Sequence, residues 1–355
     1  MKITAIRSYL KNLALSKPYS IAGYTFSEVE NVFLEVELEN GIVGIGAASP
    51  AEEVVGETCG QTLRNCQSAF FEHLVGRDIR HFRPLIDESI QQFHNLPGTR
   101  AVLDIALHDA FGQFLGIPVV EFYGQKITQL PTSVTLGIMS AADTLREAAS
   151  YFQMGFKVLK VKTGEDVDQD IERVLKLHEL YKNQLKIRVD ANQGYTLSDL
   201  NYFLKATQKT DVELIEQPLP VGKEAELLIL EESTRKLLTA DESLKDARFA
   251  LRLVREPQPF GIFNIKLMKC GGILSALDIA RIAHHADISL FWGCNDESIV
   301  SITAALHAAF ACSNTRYLDL DGSLDLAEDI VSGGFILKNG YMQLNGMPGL
   351  GLAKI

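Results

Sequence analysis

Asp190, Glu216 and Asp241 occur in the fragments VDAN, IEQP and ADES, each at the end of a short β-rich run. Carboxylates that converge from neighbouring strands repel one another unless a cation sits among them. Ligation by oxygen alone, without His or Cys, suits a hard divalent ion such as Mg²⁺. One such acid would serve equally well as a helix cap. Three in succession, at one spacing, favour the metal reading.

Lysines supply the complementary chemistry. Lys160 and Lys162 stand two apart in KVLKVK, so on a strand both side chains point to one face. Lys266 ends a later run, GIFNIK. An interior lysine is costly without a partner or a task. A free ammonium, with a pKa of roughly 10.4, is a poor source of a base at neutral pH. The neighbouring Lys160 and a nearby metal ion both disfavour the charged form of Lys162 and make it a workable base. Lys269, in NIKLMKCGG, reads as a surface residue.

These side chains need a scaffold that gathers strand ends. From Pro131 onward, short β-rich runs alternate with helical stretches. The charged ends Lys162, Asp190, Glu216, Asp241 and Lys266 recur about every 26 residues, enough for a strand, a crossover helix and two loops. Eight such strands close into a barrel whose functional residues sit at the carboxyl ends of several strands. An open doubly wound sheet does not easily bring five consecutive ends into one pocket. Before the barrel, VENVFLEVEL alternates apolar and polar residues, and Asn40-Gly41 supplies a hairpin turn. Gly41, Gly44 and Gly46 read as turn glycines, because no helix opens after them as a dinucleotide fingerprint requires. Residues 51–123 read as helical, with an amphipathic helix over 101–115 stopped by Gly116 and Pro118. The expected organisation is an α+β capping domain (1–128), a barrel (129–321) and a Gly-rich tail (322–355) that packs back on the capping domain.

The K-x-K pair, the Asp…Glu…Asp series and the lysine of NIKLMKCGG resemble the muconate-lactonizing-enzyme subgroup of the enolase superfamily over nearly the whole chain. The resemblance implies an α/β fold, a modified (β/α)₇β barrel of the TIM type with the α+β cap. It implies Mg²⁺ on Asp190, Glu216 and Asp241, with Asn192 and Glu242 supporting the ligands. Lys162 and Lys266 would face opposite sides of the substrate α-carbon, with Lys160 beside them; a Lys base working with Mg²⁺ is this superfamily's own established pattern. Asp319 and Asp321, in RYLDLDG, are similar to the D-x-D of dipeptide epimerases, and two aspartates on one face suit a substrate ammonium. The substrate is then a dipeptide, inverted at its second residue.

Ala-Glu epimerases are expected to carry a basic residue near position 20, whereas PYSIAGYTF has no Arg or Lys and offers Tyr24 as the nearest counterpart. With Tyr19, Ile21 and Phe26 it makes an apolar lining, because an unpaired buried carboxylate is expensive. The expected substrate is therefore Ala-X with X hydrophobic. Thr135, Asn295 and Asp296 are further candidate substrate contacts. Two other readings remain open: an o-succinylbenzoate synthase or muconate cycloisomerase with the same metal and lysines, and a silent barrel that only binds. Glu297 either orients Lys266 or caps a helix, and His108 and the His284-His285 pair read as packing or surface residues.

The bulk properties agree with a small-molecule enzyme. A net charge of −11 disfavours nucleic acid and anionic membrane as partners. Five cysteines, an odd number without a C-x-x-C pair, argue against a disulfide frame or zinc site. With no signal-type h-region and no 18-residue apolar run, a cytoplasmic location is expected. A homo-oligomer is compatible with the sequence but not specified by it.

Overall fold

A computed structural model describes residues 1–21 and 24–355, with side chains described outside 17–26. Tyr24, Tyr19, Ile21 and Phe26, the expected apolar lining, therefore lie outside the described side chains.

The capping layer starts with three antiparallel strands, Ile3–Ile21, Tyr24–Leu38 and Val43–Ala48. Gly41, at φ +83°, makes the expected turn between the last two. Gly44 and Gly46 do different work. They lie within the third strand, where a Cβ would run into the backbone of Val102, Ala106 and Ala110, so they let a helix lie flush on the sheet.

That helix spans Pro97–Leu115 and ends at Gly116 in the left-handed region. It is not amphipathic: residues 97–110 are all buried. One side packs on the strands and another on the barrel, so neither faces water. Its start is capped from outside by Glu57, whose carboxylate accepts from Gly98 N (2.7 Å) and Thr99 N (2.9 Å).

The barrel strands are Ser133–Leu136, Val158–Lys162, Lys186–Asp190, Val212–Glu216, Leu238–Ala240, Ile262–Ile265, Ser289–Gly293 and Thr315–Asp319, each paired in parallel with the next. The ring closes at a narrow seam. There Thr132 bridges Leu318, Ser133 Oγ donates to Asp319 Oδ1 (2.5 Å) and Leu320 N donates to Thr132 Oγ1 (2.9 Å). Helical segments follow the first seven strands, whereas the eighth runs into the tail. Midway along the barrel, buried Arg188 stacks on Phe291 and Tyr317, 5.3 and 5.1 Å from their ring centres, and donates to Glu213 Oε2 at 3.3 Å.

The tail returns to the cap. Ala327 N donates to Ala14 O and Ser16 N to Asp325 O (each 2.7 Å), and Lys354 Nζ reaches Glu35 at 2.8 Å. Asp109, on the long helix, accepts from Ile45 N (2.9 Å) and Leu350 N (2.8 Å), so one carboxylate ties sheet, helix and tail together. All five cysteines are free thiols, and among the described residues no helix is long and apolar enough to cross a membrane.

Candidate active site

The parallel register lines up the chemistry. Lys162 pairs with Asp190, and Asp190 with Glu216, so three neighbouring strands end level with one another. Asp241 and Lys266 stand one residue beyond the fifth and sixth strands. Around the mouth, then, two lysines on the second and sixth strands flank three carboxylates on the third, fourth and fifth.

Lys160 and Lys162 share a face, as the two-residue period requires, but their surroundings differ. Lys160 is 3% exposed and lies within 3.1 Å of Asp190, 2.9 Å of Glu216 and 2.8 Å of Asp319. Burial alone would lower its pKa, but these three carboxylates outweigh that and hold it well above the ordinary value. It is a fixed positive charge. Lys162, one pleat nearer the mouth, is 31% exposed, and its Nζ donates to Asp190 Oδ2 (2.7 Å) and Asn192 Oδ1 (2.8 Å). Lys266, 15% exposed, pairs with Asp241 at 3.0 Å. Burial pulls the Lys266 ammonium down, and Asp241 more than compensates.

Lys269 overturns the surface reading. It is 5% exposed, and its Nζ binds the Asp241 carboxylate and donates to Asp241 O (2.7 Å) and Asn264 O (3.1 Å). The tight turn Leu267–Cys270 folds it back under the barrel rim instead of releasing it to solvent. Burial lowers its pKa despite Asp241.

Among the described residues, no group of three or more acidic, His or Cys side chains is arranged as it stands to hold a metal ion. Each carboxylate is turned onto a lysine. The donor set nevertheless suits Mg²⁺. Asp190, Glu216, Asp241, Glu242, Asp319 and Asp321 face Lys160, Lys162, Lys266 and Lys269, which leaves two negative charges in excess. The excess shows in Glu216, pushed up to about 8 by burial and then by Asp190. Its Oε2 has no aligned hydrogen-bond donor, although Lys160 Nζ is 2.9 Å away, and Glu242 Oε2 has none either. A divalent oxygen-seeking ion would meet both needs.

Other residues brace this set. Asn192, at φ +41°, bridges Lys162 to Glu242, donating to Glu242 Oε1 at 3.3 Å. Three bracing residues escaped the sequence reading. Asn264 Nδ2 donates to Glu216 Oε1 (2.6 Å), and Gln217 Oε1 accepts from Asp241 N (3.0 Å) and Ser243 N (3.1 Å). Ser133 holds Asp319. The fragments IEQP and FNIK contain the first two at strand ends, and that position was the available signal.

Asp319 and Asp321 part company. Asp319 spends both oxygens inside the protein, on Ser133 Oγ and Lys160 Nζ. Burial raises its pKa and Lys160 more than reverses this. Asp321 Oδ2 accepts from Thr135 N and Oγ1 (each 2.9 Å), and among the described residues no hydrogen bond is made to Oδ1. Burial and then Asp319 push Asp321 up to about 8. Asn295 lines a cavity of about 90 Å³ with Ala51, Val54, Val55, Lys266 and Met268, and its Nδ2 donates to Ser49 O (3.0 Å). Asp296 follows it at the rim. Glu297 accepts from Asn295 N (2.7 Å) and is pushed up to about 7 by burial, so it braces this loop and touches Lys266 only through space. His108 is a buried packing residue, and His284 and His285 contact each other on a barrel helix.

Comparison with known proteins adds a family context. Residues 4–124 match the family model for the mandelate racemase / muconate lactonizing enzyme N-terminal domain, and residues 143–353 that for the enolase C-terminal domain-like family. The chain is 50% identical over 355 residues to an L-Lys-D/L-Arg epimerase of Desulforapulum autotrophicum, covering 100% of both. It is 33% identical over 360 residues to a hydrophobic dipeptide epimerase of Enterococcus faecalis, covering 99% of this chain and 100% of the other. The crystal structure of a dipeptide epimerase from Methylococcus capsulatus, complexed with Mg and the dipeptide L-Arg-D-Lys, superposes with a TM-score of 0.96 at 45% identity over 99% of this chain and 100% of that one.

Proposed function

Because the chain belongs to the enolase superfamily and is an isomerase acting on amino acid derivatives, we propose that it is a Mg²⁺-dependent dipeptide epimerase inverting the α-carbon of the second residue, with Lys- and Arg-bearing dipeptides as its substrates. The observation that carries this reading is the order around the barrel mouth: Lys162 and Lys266 on strands two and six, with Asp190, Glu216 and Asp241 between them. Bases on both sides of one pocket suit removal of a proton from one face and its return to the other.

Asp190, Glu216 and Asp241 would hold the ion, which when bound neutralises the substrate carboxylate and so acidifies the neighbouring α-proton. Lys162 Nζ takes that proton on one face, and the Lys266 ammonium delivers one on the other; the reverse pairing serves the other diastereomer. Lys160 stays protonated and adds fixed positive charge where negative charge develops. Asp321 Oδ1, with Oδ2 fixed by Thr135, is the seat for the substrate's α-ammonium.

The two L-Lys-D/L-Arg epimerases, of D. autotrophicum and M. capsulatus, resemble this chain more than the hydrophobic-dipeptide enzyme does. A loop without Arg or Lys argues against an acidic side chain and suits a cationic one as well as an apolar one. Glu52 and Glu53 are exposed on the segment that lines the cavity, and Asp296 adjoins Asn295, so the rim is acidic. Ala-X with X hydrophobic is the second reading, favoured by Val54, Val55 and Met268 in the lining. A synthase or cycloisomerase, whose substrates are anionic and lack an ammonium, leaves Asp321 without a task.

The test is α-proton exchange in D₂O with Mg²⁺ across a dipeptide library, read by mass spectrometry. Deuterium gain is expected to be greatest when the dipeptide carries Lys or Arg. Gain confined to apolar dipeptides selects the second reading, and no gain on any dipeptide overturns the epimerase.

A further inference from the structure

The segment that carries Lys266 is fastened at both ends. Towards the barrel, Lys269 Nζ grips Asp241 and Asn264 O. At the other end, Gly271 and Gly272 (φ +92° and +110°) lead into the helix Ile273–His285, whose first residues have no cap from their own segment. The cap comes from the other domain. Asp104, fully buried on the long helix of the capping layer, accepts from Ile273 N on Oδ1 (2.8 Å) and from Leu274 N on Oδ2 (3.1 Å). One turn earlier, Arg100 Nη2 donates to Cys270 O (2.8 Å) and so meets a carbonyl that the short turn Leu267–Cys270 leaves free.

The fit is close. A Cβ on Gly271 would strike the Arg100 guanidinium, and one on Gly272 would strike the Asp104 side chain. Asp104 is itself fixed from behind: His108 Nδ1 lies 3.1 Å from its Oδ1 and 2.7 Å from its backbone oxygen, and His108 Nε2 is 2.6 Å from the Tyr123 hydroxyl. Side chains held in this way transmit position, because packed interiors have little slack. Lys162 is held from within the barrel instead: it ends the second strand, and buried Arg173, on the helix that follows that strand, donates from Nη2 to its backbone oxygen at 2.8 Å.

We propose that Arg100 and Asp104 are positioning residues for Lys266: the capping domain sets the aim of one of the two bases and leaves the other to the barrel. The inference rests on the two-base reading above. It makes a prediction that a merely stabilising contact does not, because the two bases serve opposite faces of the α-carbon. Disturbing the clamp slows proton transfer on the Lys266 face alone.

The experiment measures deuterium entry from D₂O, with Mg²⁺, separately into the L,L and L,D forms of one dipeptide at early times. K162A and K266A first show which form depends on which lysine. In D104N and the milder R100K, exchange of the Lys266-dependent form is expected to fall by about ten- to a hundredfold, since an error near 1 Å in a reacting group can cost about 10²-fold. Exchange of the Lys162-dependent form stays within about twofold of wild type, and epimerisation falls with the slower face. Equal losses on both faces, or no loss in either variant, overturn the inference while leaving the two-base reading in place. Wild-type exchange of both forms in K266A overturns the two-base reading, and this inference with it. R100K keeps the cation and the fold under less stress, so the comparison stands even where D104N folds poorly.

Discussion

At the scale of single residues, two lysines a pleat apart have unlike tasks. Lys160 is held by three carboxylates and Lys162 opens to the mouth. Replacing Asp319 by Asn withdraws one partner from a buried ammonium that keeps two others, so stability should fall by about 2 kcal/mol in a urea titration. Asp321 behaves differently. Its pKa is pushed up to about 8 by burial and Asp319, above the ordinary carboxylate value. Between that ordinary value and about 8 the native state therefore binds the extra proton, and stability falls as pH rises across this window. D321N carries no such proton, so its melting temperature should decline less than wild type between pH 5 and 8; an equal decline would contradict the assignment. That Lys160 and Lys162 meet the carboxylates at one mouth was readable because a strand's two-residue period fixes which side chains share a face. Lys269 was misread because a four-residue turn, invisible to periodicity, carries it under Asp241. The separate uses of Asp319 and Asp321 depend on Ser133 and Thr135, which lie almost two hundred residues away in sequence.

At the scale of elements, spacing was the strongest signal. A repeat long enough for strand, helix and two loops predicts parallel strands, and the eight appear in sequence order. The long helix was misjudged because its composition reports burial but not how many neighbours share it. Its flush contact with the sheet gives a sharp comparison between glycines. Gly41 faces open space at φ +83°, so G41A should cost about 1 kcal/mol through backbone strain alone. Gly46 meets the Val102 carbonyl, so G46A should cost about 3 kcal/mol, as overpacked sites do. Denaturant midpoints of the two variants check the difference, and a smaller loss in G46A than in G41A would mean that helix and sheet have slack between them.

Across the whole molecule, the net charge of −11 acquires a direction from the acidic rim. Long-range attraction raises encounter rates for oppositely charged ligands and fades as salt shortens the screening length. For Lys-Arg dipeptides, kcat/KM should therefore fall severalfold between about 20 and 300 mM salt, while apolar dipeptides change little; stopped-flow or steady-state rates over a salt series decide it. Molecular charge was legible from composition, but which surface carries it was not, because that depends on where the 51–55 segment comes to rest. The way the tail returns has a further consequence, for the order of synthesis. The capping layer draws on Ile3–Leu38 and on residues as late as Lys354, whereas every barrel strand lies between them. As the chain leaves the ribosome, its opening strands can meet the helix Pro97–Leu115 early, but their hydrogen bonds to the tail must wait until residues 325–354 emerge. The seam between cap and tail is therefore the last part of the fold to close, after every barrel strand has emerged.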